Sequence, residues 1–325
     1  MTVEHQPDRT VRQASHHRAF VVTVVWTLVL LFLGSVVHAT ESSLACPDWP
    51  TCYGSMVPEM EGGIFWEHLH RLVAGGLLLM FGLATWLASR QAEARWVVKA
   101  CWIGIGLLLV QSVFGGLTVL MGLPDAVSTT HLGLAFLFLA LAAVLATATS
   151  PRRRDRPALA PEVRRTLRRV GVSAAGLVFA QSVLGAAVRH TEAGMACGRG
   201  LLCNGGLLPP AWSHAVGVQW LHRVVGLVAV ALIAWLAVTL ARRGAASHLR
   251  AAAWAALGLV LLQVALGFLS AWTILSVAPV SLHTLVAASL LAVTTVLSTW
   301  GFLGEAVAPD RRAGTPTAGA SASSR

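Results

Sequence analysis

Eight long apolar runs constrain how this chain of 325 residues can fold. Each run has roughly the 20 residues that a helix needs to cross the hydrocarbon core of a bilayer. In lipid, backbone polar groups must bond to one another within a segment, so these runs are predicted to be helices. A buried core helix could explain one such run but not eight. The runs cover residues 19–39, 68–89, 96–119, 128–149, 170–189, 216–240, 251–273 and 280–304.

The basic residues indicate how these spans are oriented. The net charge is +10, although only 12% of the residues are charged. Arginine and lysine cluster before the first run, in 90–99, 151–169 and 242–250, and after the last run. These segments share one side if the spans alternate, so the positive-inside rule predicts cytoplasmic termini. The charge therefore indicates topology and contact with anionic lipid, and no nucleic-acid partner is expected.

The N-terminal region is predicted to stay attached to the chain. The first apolar run is too long for a signal-peptide core, and no A-x-A-like cleavage site follows it. The leader "MTVEHQPDRTVRQASHHR" contains Glu4 and Asp8, which argues against a mitochondrial transit peptide. A multi-pass protein of a bacterial plasma membrane is the expected localisation. The small, polar tail over 305–325 is predicted to be disordered.

An internal repeat divides the chain into two halves. A histidine, a glutamine 41 residues later and a histidine 20 residues after that occur twice. Upstream, the segment 33–52 aligns with 184–203, including a glutamate and two cysteines. Such repetition indicates duplication. The two constellations are His70–Gln111–His131 and His222–Gln263–His283.

The predicted fold class is all-α: an integral membrane protein with eight transmembrane helices in two tandem, pseudo-symmetric four-helix bundles. The predicted outer loops are 40–67 in the first bundle and 190–215 in the second. The predicted boundaries are a cytoplasmic segment 1–18, a bundle 19–150, a basic cytoplasmic linker 151–169, a bundle 170–304 and a tail 305–325.

The repeated histidines are candidate metal ligands. A histidine inside a span is costly and is usually functional, although a lone one often serves only as a hydrogen-bond donor between helices. Here His70 and His131 begin spans that run in the same direction, and His222 and His283 repeat this. Zinc usually takes four ligands, whereas one histidine from each of two facing helices suits a haem iron. We therefore predict two haem sites toward the outer leaflet.

The residues beside these histidines suggest further roles. Arg71 and Arg223 follow the first histidine of each half and could bind haem propionates or extend to the lipid headgroups. Glu67 lies one helical turn before His70, but its counterpart is Gln219. Only the carboxylate can exchange protons or stabilise positive charge on a porphyrin. Glu67 is thus a candidate catalytic acid, with a cap at the helix start as the alternative.

Four of the five cysteines form two C-x5-C pairs on the predicted outer side, where disulfides persist. The simplest interpretation is two bridges within the loops, Cys46–Cys52 and Cys197–Cys203. They could serve as structural staples, or the first pair, which shares a loop with Glu67, could be redox-active. Cys101 is expected in the core. The remaining histidines near the membrane are interpreted as interfacial polar groups: His38, His68, His190 and His214. For His68, proton transfer is a further option.

These features together resemble the haem A synthase family, over about residues 19–304. The resemblance rests on eight spans in a tandem repeat, Glu67-x-x-His70, His131, His222, His283 and the cysteine pair of the first outer loop. It implies an oxidoreductase that converts a methyl group of haem O to the formyl group of haem A, which goes to terminal cytochrome oxidases.

The resemblance also implies roles and partners. His70 and His131 would hold the substrate haem, His222 and His283 would ligate a stable haem b, and Glu67 would be the catalytic acid. Two oxidations of the methyl carbon would give a geminal diol that loses water. Either a histidine leaves the substrate iron so that oxygen can bind, or electrons are withdrawn and water supplies the oxygen. Expected partners are membrane lipid, an electron donor or acceptor and the farnesyltransferase that makes haem O; a homo-oligomer is left open.

Two other functions fit part of the pattern. A di-haem b electron carrier would use both histidine pairs, but such carriers usually place haems near both membrane faces, and all four histidines here lie toward one. A haem chaperone or exporter would need two haem sites and no catalytic acid. The enzyme requires Glu67, whereas the two alternatives do not.

Overall fold

The computed structural model describes residues 8–91, 94–151, 158–200 and 202–303. Within these ranges the chain forms eight long helices, each long and apolar enough to cross a membrane. The predicted spans and the all-α class are thereby confirmed. The helices are α1 (Asp8–Ala39), α2 (Gly62–Arg90), α3 (Arg95–Leu120), α4 (Asp125–Ala148), α5 (Pro161–His190), α6 (His214–Arg242), α7 (Ser247–Trp272) and α8 (Val277–Leu303).

Most helices begin before the apolar run that predicted them. Helix α2 starts at Gly62 and α6 at His214, so Glu67 and Gln219 are helical and not part of loops. Polar residues still form helix where backbone bonds continue and one face packs against protein. Helix α5 contains a π-helical turn at Leu167–Gly171. The structure describes residues only up to 303, so the tail over 305–325, which is predicted to be disordered, lies outside the described residues.

Each half closes into a four-helix bundle. Helices α1 to α4 pack in a ring, and α5 to α8 repeat the ring. The two rings meet where α1 and α4 contact α5 and α8. These four central helices therefore bury more of their surface, on average, than α2, α3, α6 and α7.

The outer helices present apolar side chains to their surroundings. Leu79 is 76% exposed and Ile103 is 66% exposed, although both lie in the middle of predicted spans. In water such a surface would be unfavourable, but in a bilayer it faces hydrocarbon chains. This pattern supports the assignment of a multi-pass membrane protein.

The four repeated histidines lie at one end of the molecule. His70 and His222 are each the ninth residue of their helix, and His131 and His283 are each the seventh. At 1.5 Å per residue, each lies about 9–12 Å below the start of its helix. We call this the disulfide end, because the connections 40–61 and 191–213 at this end contain both cysteine pairs.

Candidate functional site

The structure brings the histidines together in the predicted pairs. The side chains of His70 and His131 lie close enough to interact electrostatically, and so do those of His222 and His283. Each histidine is half-buried. Among the described residues, no group of three or more His, Cys, Asp or Glu could hold a metal ion. Two nitrogen donors per site therefore suit a haem iron, which brings its own four ring nitrogens, better than zinc.

A glycine on the preceding helix makes room for each histidine ring. An ideal Cβ built on any of these glycines would lie 3.0 Å from the Cε1 atom of the ring. That separation is tighter than ordinary van der Waals contact, so a larger residue would displace the ring. Because all four sites are built in the same way, the glycine is expected to fix the position of the histidine ring at each of them. The glycine–histidine pairs are Gly34–His70, Gly115–His131, Gly185–His222 and Gly267–His283.

A glutamine lies one turn before the glycine at three of these four sites. The Nδ1 atom of His131 is 3.2 Å from the backbone oxygen of Gln111, and its Nε2 atom is 3.5 Å from the amide nitrogen of the same residue. A proton on Nδ1 would make Nε2 the nitrogen that binds a metal. At the next site, the amide Nε2 of Gln181 lies 3.0 Å from Nδ1 of His222. Gln263 occupies the same position before Gly267. At the His70 site, the corresponding residue is Leu30.

Glu67 is buried and held in place from two sides. Its Oε2 atom accepts a hydrogen bond from the backbone N–H of Cys46 at 2.8 Å, and its Oε1 atom accepts one from Nη2 of Arg71 at 2.5 Å. The helix begins at Gly62, so Glu67 lies beyond the first turn. The alternative interpretation of Glu67 as a solvated cap is therefore wrong.

Arg71 connects the ligand helix to the first disulfide loop. It donates to the carbonyl oxygens of Asp48 at 2.7 Å and Thr51 at 2.5 Å, in addition to Glu67. In the second half, Arg223 donates to the carbonyl oxygens of Gly200 and Gly198. Both arginines thus hold the loops, a role that the sequence analysis missed. Their contact with haem propionates stays a prediction.

The second half lacks the acid but keeps an arginine that binds the loop. Gln219 donates from Nε2 to the carbonyl oxygen of Gly194 at 3.1 Å. The amide of Gln219 takes the position of the carboxylate. It donates a hydrogen bond to a loop carbonyl, whereas Glu67 accepts one from a loop N–H. The two halves therefore share a loop-binding arginine and differ in the group beside the histidine.

Both predicted disulfides are present, Cys46–Cys52 and Cys197–Cys203. In the first loop, Asp48 accepts bonds from the Thr51 hydroxyl, the Gly54 N–H and the Tyr53 N–H. The Thr51 bond, followed by that of Gly54, lowers the pKa of Asp48. Cys101 is fully buried in α3, as expected.

A loop tryptophan packs against α3 in the first half. The indole ring of Trp49 lies 2.7 Å from the position that a Cβ of Gly116 would occupy. Gly116 follows the glycine that contacts His131. The second loop has Gly200 at the position that aligns with Trp49, so this contact is specific to the first half.

The other membrane histidines form contacts that the sequence did not reveal. The rings of His38 and His190 pack edge to face with their centroids 5.3 Å apart, joining α1 to α5. Beside them, Arg189 donates to the Ser35 hydroxyl at 2.8 Å. His68 is buried, and its Nε2 lies 3.1 Å from the carbonyl oxygen of Met56. His38, His190 and Arg189 thus hold the two halves together at the disulfide end.

Comparison with known proteins agrees with this geometry. A family profile, COX15-CtaA, described as "Cytochrome oxidase assembly protein", matches residues 17–64 and 59–295. The chain belongs to the COX15-CtaA family. Both histidine pairs and the first disulfide loop fall within the matched residues.

Similar members of the family are named "Heme A synthase". The protein from Symbiobacterium thermophilum is 32% identical over 274 residues, which cover 81% of this chain and 87% of that protein. The protein from Alkalihalophilus pseudofirmus is 30% identical over 249 residues, 75% of this chain and 82% of its own length. The protein from Caulobacter sp. (strain K31) is 29% identical over 333 residues, 86% and 93% of the two chains.

Proposed function

We propose that this chain is a haem A synthase, an oxidoreductase that converts a methyl substituent of haem O to the formyl group of haem A. The observation that carries the proposal is an asymmetry between two equivalent sites. Both contain a histidine pair cradled by glycines, but only the first has a buried carboxylate on the same helix face. The names of the similar proteins support the same reaction.

The first pair, His70 and His131, would hold the substrate haem. The second pair, His222 and His283, would hold a resident haem b. The glycine cradles and the two-nitrogen donor sets fit these groups. The resident haem would supply a one-electron redox centre beside the reaction site.

Glu67 would act on the protons of the reaction. Oxidation of a methyl group to an aldehyde releases protons and requires an oxygen atom to be added. A carboxylate on the same helix face as His70 can accept such a proton. Arg71 and the N–H of Cys46 fix both carboxylate oxygens, so the group is oriented before the substrate arrives. The first loop, which is held against α2 through Glu67 and Arg71, would limit the access of water.

The orientation in the membrane is part of the proposal. Basic residues follow α4 and lie in the first three turns of α1, at the end opposite the disulfides. The positive-inside rule then places both termini in the cytoplasm and both haem sites toward the outer leaflet. An electron partner and the farnesyltransferase that makes haem O are the proposed partners.

Haem extraction followed by chromatography tests the function. The chain is expressed in a host that makes haem O but no haem A, and the haems of its membranes are resolved. We expect haem A or its hydroxylated precursor with the wild-type chain and neither with an empty vector. Unchanged haem O, in membranes that contain the folded, haem-loaded chain and a working respiratory chain, would reject the proposal in favour of a carrier or chaperone.

A further inference from the structure

The two halves differ at a second position beside the histidine pairs. Gln181 lies one helical turn before the glycine that cradles His222. In the first half, Leu30 occupies the equivalent position before Gly34. The alignment is fixed by the repeat, because both residue pairs are separated by 151 positions.

The amide of Gln181 has a site built for it. Its Nε2 atom lies 3.0 Å from Nδ1 of His222 and donates to the His222 carbonyl oxygen at 2.8 Å. A Cβ on Gly226 would lie 3.3 Å from the same atom. The first half has Ala74 where the second has Gly226. Two positions on two helices therefore change together.

The amide can adapt to a metal-bound histidine. A ring that binds iron through Nε2 carries its proton on Nδ1 and needs an acceptor there. The Oε1 atom of Gln181 is buried and has no hydrogen-bond partner. Rotation of the amide, with a small shift of the side chain away from the His222 carbonyl oxygen, would let this oxygen accept a hydrogen bond from Nδ1–H of His222. The bond to the carbonyl would be lost, because both of these oxygens are acceptors.

His70 has no such support. Its Nδ1 atom is buried and makes no hydrogen bond in the described part of the chain, and the same holds for Nδ1 of His283. The comparison between the halves therefore concerns the first histidine of each pair, His70 and His222. Leu30 instead packs against the apolar cluster of the first half, which includes Leu77 and Phe81. The partner histidines, His131 and His283, both have a glutamine on the preceding helix, Gln111 and Gln263, so the halves differ in this glutamine only before the first histidine, at positions 30 and 181.

We propose that this difference decides which haem is exchanged and which is retained. Hydrogen bonds to the remote nitrogen of a ligand histidine fix its ring and strengthen it as a ligand. Gln181 would therefore anchor His222, whereas Leu30 allows His70 to dissociate from the iron and rebind. Both are positioning residues. This inference rests on the proposed function, because an enzyme must load and release its substrate haem but keep its redox haem.

Carbon monoxide binding to the purified, haem-loaded, dithionite-reduced protein measures this property. Carbon monoxide needs an open position on the iron, so it binds only after a histidine leaves. In the wild type we expect the haem of the first site to bind carbon monoxide and haem b to resist it. Gln181→Met removes the amide at almost constant volume and should make haem b bind carbon monoxide at least about tenfold faster.

The reciprocal change tests the first half. Leu30→Gln combined with Ala74→Gly should slow carbon monoxide binding at the first site by about tenfold or more. Leu30→Met, which has a similar shape but no amide, is the matched control and should behave as the wild type. If the double variant does not fold, the result for Gln181→Met alone tests the proposal.

The proposal is overturned if Gln181→Met keeps haem b as resistant to carbon monoxide as the wild type. It is also overturned if neither wild-type haem binds carbon monoxide. Haem A formation is measured in the same membranes and separates the two claims. If the wild type forms haem A and Gln181→Met binds carbon monoxide as slowly as the wild type, only this inference is rejected. If the wild type forms no haem A, the proposed function is rejected.

Discussion

The carboxylate of Glu67 and the guanidinium of Arg71 lie one turn apart on α2, with 2.5 Å between Oε1 and Nη2. Arg71 also binds carbonyl oxygens of the first disulfide loop, and the N–H of Cys46 in that loop binds Glu67. Loop, acid and arginine therefore form a closed set of hydrogen bonds above His70. Disturbance of any member should affect the position of the others.

Glu67→Gln should abolish most haem A formation without loss of haem b. The amide keeps the shape of the side chain but cannot accept a proton, and general acid–base catalysis contributes roughly 10²–10⁴ in rate. The measurement is haem A per chain in membranes of the haem O-producing host. Glu61→Gln, at the exposed start of α2, is the control. Full haem A formation by Glu67→Gln would contradict the catalytic role.

Arg71→Met should destabilise the protein more than Arg223→Met. Both changes release a disulfide loop, but only the first leaves a buried carboxylate without its cation. Removing one partner of a buried ion pair costs about 3 kcal/mol or more. Thermal unfolding in detergent measures the difference. Glu67→Gln added to Arg71→Met should recover much of the loss, and failure to do so would show that the pair is not coupled.

The first disulfide loop should open at acid pH. The pKa of Asp48 is lowered by its bonds to Thr51 and Gly54. A lowered pKa in the folded state means that the loop is stabilised above pH about 4 and loses this stabilisation as the pH falls further. Reduction of Cys46–Cys52 by a phosphine should therefore accelerate relative to Cys197–Cys203, whose loop has Arg199 at this position. In Asp48→Asn the ratio should not change with pH.

Gly185→Ala should weaken the binding of haem b. The new methyl group would lie 3.0 Å from Cε1 of His222, so the ring must shift by a few tenths of an ångström. Haem content per chain, measured after purification, should fall. Gly258→Ala is the control, because no atom lies within 4 Å of its Cβ position. Equal haem content in both variants would mean that the cradle does not position the histidine.

The sequence predicts the spans and the histidine pairs well, because both depend on strong local signals. A run of 20 apolar residues allows few structures, and the exact repeat of histidine spacing places equivalent residues at equal depth. The disulfide pairings follow from two cysteines in each short loop. These features needed no knowledge of how the helices pack.

The contacts of polar side chains were not predictable in the same way. Arg71 and Arg223 bind loop carbonyls about 20 residues earlier, and nothing in their local sequence specifies that partner. The packing of His38 on His190 depends on how the two halves meet. The difference between Leu30 and Gln181 lies just outside the aligned segments 33–52 and 184–203, and its meaning required the contact between Gln181 and His222.

The central claim is that the two histidine pairs hold different haems, and extraction of haem from purified single-histidine variants tests it most directly. We expect His222→Ala to lose haem b and His70→Ala to retain haem b but to lose substrate or product haem. His222→Ala with its full content of haem b, or loss of haem b in folded His70→Ala, would contradict the assignment of the two halves.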